Sequence, residues 1–303
     1  MMKQFSIGAA LVALAFAAPG ISMAQSESKS KSANAPLAVV EAVQMPAWVE
    51  RSGASTPIAP GMELRDRDEL KTGANSRLLL RMADGSLVKL GEQGSLGLDA
   101  MRLRGDSVFE AAMKVAQGAF RFTTQAAAKF RGKREVNITV ATVTAGIRGT
   151  DLWGKSTPDR QIVCLIEGRI EVTPPGESPI NMDQPLSFYI RDKGQSQPVA
   201  PVPMEQLKEW AAETEPQPGE GVSRRGGRWR ITASGLAYSQ AQALYDDLRR
   251  AGYPAEIIPA KLKDQRVYNV RLSNFETQKD AEFVAAKLKG DVGFGKHEYR
   301  VGT

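Results

Sequence analysis

The sequence predicts two folded units in series: an all-β, sandwich-type domain, then a small α+β domain of ferredoxin-like βαββαβ order. Two observations predict this. Across residues 37–200, short runs of alternating apolar residues are separated by turn residues roughly every 8 to 12 positions, the spacing of a β-sandwich or a related all-β fold. From residue 228 onward a strand–helix–strand pattern occurs twice. The stretch between the two, 215–227 (EPQPGEGVSRRGG), has the Pro, Gly and charge content of a linker.

The chain begins with a secretory pattern. Lys3 precedes an apolar run at 7–18, Pro19 and Gly20 break it, and Ser22, Met23 and Ala24 end in the small residues a signal peptidase accepts. The run is about a dozen residues, against about 20 needed to cross a bilayer. Residues 1–24 are therefore expected as a leader, and the protein as an exported, soluble periplasmic one with no membrane span after cleavage. Residues 25–36, polar and rich in Ser and Lys, read as a disordered tether. Cys164 is the one cysteine, so no internal disulfide forms, and stability rests on buried apolar area. With 303 residues, 42% of them hydrophobic, the chain can bury two modest cores.

In the middle unit, Arg77 to Met82 leads into Asp84-Gly85, a hairpin dipeptide, and 86–90 returns. Residues 136–143 (VNITVATV) alternate and are β-branched, and read as a strand. Residues 161–166 and 169–172, joined at Gly168, read as a second hairpin. The one helical signal is a turn at 109–115. The segment "GMELRDRDELKTGANSRLLLRMADGSLVKL" resembles the opening of a FecR domain through Gly61, Asp68, Thr72, Gly73, Asp84, Gly85 and Ser86. "GAFRF" at 118–122, "TVTAGIRGTDLWG" at 142–154 and "VCLIEGRIEV" at 163–172 resemble its second half. In iron-uptake systems such domains carry a receptor's signal toward a sigma factor, through a transmembrane helix and a cytoplasmic tail. No such helix or tail is read here, so that role is not expected to transfer. Within 145–151, Arg148 and Asp151 are expected to pair and hold a tight turn, the alternative being a binding site for a small polar ligand.

Residues 201–214 read as a short helix with Leu207, Trp210 and Ala211 on one side, and 201–227 as that helix plus linker. In the last unit, 228–303, two helices carry apolar stripes: Ala243, Leu244 and Leu248 in one; Ala281, Val284, Ala285 and Leu288 in the other. Gly252 and Gly290 follow them as C-caps. Strand parity puts Trp229, Ile231 and Ala233 with Tyr268, Val270 and Leu272 on the covered face. Arg230, Thr232 and Ser234 then share the open face with Asn269 and Arg271. A flat face of hydrogen-bonding groups suits an extended polymer.

"YNVRLSNFETQKDAEFVAAKLKG" resembles the second half of a SPOR domain through Tyr268, Val270, Phe275, Ala281 and Leu288. "WRITASGLAYSQAQALYDDLRRAGYPAEI" resembles the first half through Trp229, Ala243, Leu248, Gly252 and Tyr253. The resemblance implies binding of peptidoglycan glycan strands stripped of stem peptides, which concentrates such proteins at the division septum. It places glycan contacts on Arg230, Thr232, Ser234, Asn269 and Arg271. Three positions depart from the usual pattern: Thr232 stands where a Gln is usual, Ser234 where a Gly is, and Asn269 where an Arg is common.

From residue 224 onward there are 15 basic and 9 acidic residues, a surplus that fits an anionic or polar polymer. No enzyme is expected. The only histidine, His297, and the only cysteine, Cys164, fall in different units, and no metal-ligand cluster or cofactor motif is present. Nucleic acid is not expected as a partner either, because Trp229 and Tyr268 have the parity of the covered face and stacking needs them exposed. The expected partners are glycan strands and, through the middle unit, an envelope or divisome protein. The alternative is a periplasmic sensor or scaffold in FecR-type signalling, working mainly through protein–protein contacts.

Overall fold

The computed structural model describes residues 36–104, 107–124, 130–147, 149–290 and 294–303. The expected leader, the tether up to residue 35 and Arg148 lie outside them.

The middle unit is two β-sheets that share one strand. Along Val108–Thr123, Phe109, Ala111, Met113 and Val115 are buried in strict alternation, the period of a strand. The helical turn expected at 109–115 does not form. The first part of this strand pairs with Ser95–Arg104 and, in parallel, with Lys133–Val140. The second part pairs with Leu87–Leu90 and Asp151–Ser156 in the other sheet. The change of sheet falls at Gly118, whose φ is +87° and where a Cβ would stand 2.7 Å from the Gly94 Cα.

The hairpin at Asp84-Gly85 forms, with Leu80 opposite Val88. The second expected hairpin does not. Arg160–Glu167 pairs with Asp151–Ser156 and Ser187–Asp192 in one sheet. Ile170–Thr173 pairs with Val143–Ile147 and Ile180–Met182 in the other. Gly168 (φ +89°) is where the chain crosses over, a place that leaves no room for a side chain. The expected strand at 136–143 is two: Lys133–Val140 turns at Ala141 into Val143–Ile147.

Ile162, Val163, Cys164 and Leu165 are all buried because their sheet is covered on both faces. Helix α1 (Met204–Thr214) lies on the outer face, where the Trp210 ring stacks on Trp153 with centroids 4.7 Å apart and planes 4° off parallel. Ala119 and Cys164 fill the space beneath.

The C-terminal unit is the expected ferredoxin-like one. Its sheet runs Tyr299–Gly302, Trp229–Leu236, Gln265–Phe275, Glu256–Leu262, every neighbour antiparallel. Helices α2 (Tyr238–Arg250) and α3 (Gln278–Gly290) pack on Ile231, Ala233, Val270 and Leu272. In α3 the stripe is the expected one. In α2 it runs through Ala241, Leu244 and Leu248, and Ala243 is exposed. Gly252 caps α2: its N–H donates to the Arg249 carbonyl at 3.1 Å and that of Tyr253 to the Leu248 carbonyl at 2.9 Å.

The stretch expected as linker carries a strand of its own, Val222–Arg224. One edge pairs with Ala38–Gln44 of the middle unit, Ala42 opposite Arg224; the other sets Ser223 opposite Phe275 of the last unit. The buried Asp280 carboxylate, in the first turn of α3, accepts the N–H groups of Gly219 at 2.7 Å, Gly221 at 3.1 Å and Val222 at 2.9 Å. The segment's polar composition is that of a free linker, but its donors are satisfied by side chain and sheet.

Candidate functional site

The C-terminal sheet turns one face to its helices and leaves the other uncovered by them. Ile231, Ala233, Val270 and Leu272 are buried, and Thr232, Asn269 and Arg271 between them are half-buried on the open face. Pairing sets Arg300, Thr232, Arg271 and Glu256 directly opposite one another, one per strand across the whole sheet. The next row holds Asn269 and Ile258, and the one after Val267 and Ala260. The face is therefore polar and cationic at one end and apolar at the other.

Each expected contact residue has a definite place. Thr232 and Arg271 stand side by side. Asn269 uses its Oδ1 to accept the N–H of Gly235 at 3.2 Å, at the bulge where Gly235 (φ +74°) is the extra residue. Its amide nitrogen makes no hydrogen bond among the described residues. Ser234 is exposed beside the bulge. Arg230, at the edge of the face, donates to the backbone oxygen of Thr303. Arg271 makes no hydrogen bond or ion pair among the described residues, and its Nε is buried without a partner. Arg300 and Glu256 were not among the expected contacts. Parity along each strand was legible, but their places opposite Thr232 and Arg271 depend on strand order and register.

In the middle unit, an open groove of about 980 Å³ lies over the outer face of the sheet that holds Lys133–Val140. Asn137, Gly146, Glu171 and Asn181 form a row along its floor, in register over four strands. The expected Arg148–Asp151 pair cannot be described, since Arg148 lies outside the described residues. Asp151 takes Arg121 in a fork, 2.9 Å from Nε to Oδ1 and 2.6 Å from Nη2 to Oδ2. That hydrogen bond holds the Arg121 guanidinium above its ordinary pKa, against the opposing effect of burial.

The residues that carried the first resemblance hold the fold. Asp68 is buried and forks Arg51 at 2.7 and 2.6 Å. Asp84 accepts from the Ser86 hydroxyl at 2.6 Å and from Arg134 Nε at 2.7 Å. The Thr72 hydroxyl donates to the Gly91 carbonyl at 2.6 Å. Burial, and secondarily the charge of Asp151, push the Cys164 thiol up to about 12, which suits a core residue and not a nucleophile. Among the described residues no cluster of His, Cys, Asp and Glu could hold a metal ion, and no helix is long and apolar enough to cross a membrane.

Residues 68–171 match the family model described as FecR protein, and residues 225–300 match that of the SPOR domain. The chain pairs a FecR-like domain with a C-terminal SPOR domain. Both are typical of envelope proteins, and the open sheet face belongs to the SPOR domain. No curated protein matches the chain. Two crystal structures of a protein assigned as an anti-sigma factor from Parabacteroides distasonis are similar at 14% and 13% identity, with TM-scores of 0.38 and 0.39. They cover 74% of this chain, and the match takes in 92% and 91% of theirs. That likeness is too distant to bear on function.

Proposed function

We propose that this is a non-catalytic protein of the cell envelope that binds peptidoglycan glycan strands, in their denuded, septal form, through the open face of its SPOR domain. The observation that carries the reading is the in-register row of Thr232 and Arg271 on a sheet face the helices leave uncovered. Asn269 and Ser234 beside that row and Arg230 at its edge add donors and acceptors for sugar hydroxyls and acetamido groups. Ile258, Ala260 and Val267 offer an apolar strip to the C–H faces of the rings. The flat, extended shape suits a polymer more than a small molecule. Export to the periplasm follows from the leader pattern of residues 1–24.

The test is co-sedimentation of the full chain with sacculi before and after amidase treatment. Binding should rise once the stem peptides are removed, and Thr232→Ala with Arg271→Ala should abolish it. Equal absence of binding to both materials would sink the reading.

A second reading, compatible with the first, makes the FecR-like domain a partner-binding module of a sensor or scaffold. The polar groove over Asn137, Gly146, Glu171 and Asn181 favours it. Photo-crosslinking from Asn137 in cells should recover an envelope protein, and recovery of none would remove it.

A further inference from the structure

The open face of the SPOR domain carries two arginines that form no ion pair among the described residues. Arg300 and Arg271 flank Thr232 in one cross-strand row. Their backbones stand two strand spacings apart, about 10 Å, with both side chains on the same face. Neither forms an ion pair or side-chain hydrogen bond among the described residues, unlike Arg51, Arg121 and Arg134, each of which is forked or bonded to a carboxylate. Glu256 follows Arg271 in the same row, and it too forms no ion pair within the described residues. Two arginines on one face of the sheet, with the Thr232 side chain in the row between them, offer the donors for one carboxylate, which a guanidinium fork takes with paired hydrogen bonds.

We infer that Arg271 and Arg300, with Thr232 between them, bind the free lactyl carboxylate of N-acetylmuramic acid. This rests on the glycan-binding reading above and names the group that the site discriminates. On an intact strand that carboxyl is an amide, uncharged and blocked by the stem peptide. Removal of the peptide by hydrolysis turns it into an anion. A cationic row over the sugar would therefore respond to the one atom group that distinguishes a stripped strand from an intact one. Neutral hydrogen-bonding groups such as Asn269 would read features common to both.

The experiment compares two ligands that differ at this group alone. Denuded glycan strands are bound as they are, and after carbodiimide coupling to methylamine, which converts each lactyl carboxylate to a methylamide. The full chain should bind the coupled strands about tenfold more weakly or worse, the loss of a charge-assisted pair of contacts. Arg271→Gln with Arg300→Gln should lose a similar factor on the native strands and no longer distinguish the two ligands. Arg271→Lys with Arg300→Lys, which keeps the charge, should recover part of the discrimination. Equal binding of the unsubstituted chain to both ligands would overturn the inference while leaving glycan binding intact. Binding to neither ligand would overturn both.

Discussion

Gly252 closes helix α2 directly against the ring of Trp48, in the other domain. A Cβ on Gly252 would lie 2.7 Å from two ring carbons, and its φ of +86° already excludes most side chains. The same corner is fastened by the Trp48 Nε1–H, which donates to the Arg250 carbonyl at 3.2 Å, and by the Ala47 N–H, which donates to that of Gly252 at 3.3 Å. Gly252→Ala combines backbone strain with a clash that crosses the domain boundary. It should cost about 2 kcal/mol or more, read as a lower midpoint in urea unfolding.

Asp280 is the second fastening. Its carboxylate accepts the N–H groups of Gly219, Gly221 and Val222 and also that of Thr277 at 3.1 Å. Asp280→Ala leaves those buried N–H groups unpaired and should destabilise the protein by about 3 kcal/mol or more; Asp280→Asn, which keeps one acceptor oxygen, should lose less. The same denaturation series decides it, and equal losses for both variants would show that the acceptor oxygen does not matter.

A SPOR fragment that starts at Arg228 lacks both the Val222–Arg224 strand and the Gly219, Gly221 and Val222 donors to Asp280. It should melt below a fragment that starts at Glu215. Calorimetry of the two gives the comparison directly.

Cys164 should resist alkylation in the native protein. Its ordinary pKa of 9.0 is raised to about 12 in the fold, so the thiol stays protonated at pH 8. Because the thiol's pKa is raised by folding, its contribution to stability is complete below about pH 9 and is lost as pH rises from 9 toward 12. Trp210→Ala removes the indole stacked on Trp153 above it and should cost about 3 kcal/mol or more. Iodoacetamide labelling followed by mass spectrometry should find Cys164 silent in the unsubstituted protein and labelled in the variant.

How much of this was legible beforehand depended on how local the signal was. The ferredoxin-like order, the α3 stripe and the Gly252 cap were legible because each follows from residues within one element or one turn. The hairpin at Asp84-Gly85 was legible for the same reason. What failed was pairing at a distance. Gly168 looks like a hairpin turn, and only the stacking of two sheets shows that the chain crosses between them there. Phe109 to Val115 mixes small and long residues in a way that suits a helix or a strand, and the sheet decided it. In the site, the alternation placed Thr232 and Arg271 on one face, while Arg300 needed the register of Tyr299–Gly302 against its neighbour.

The strand Val222–Arg224 has a mechanical consequence. A flexible tether would let the two domains turn independently, and slack chain would absorb any pull on the SPOR face. Here a load applied to the sheet at Phe275 passes through the shared strand to Ala42 and Val43, and then into the FecR-like sheet. The two domains would move as one lever, so that the orientation of the open face sets that of the groove.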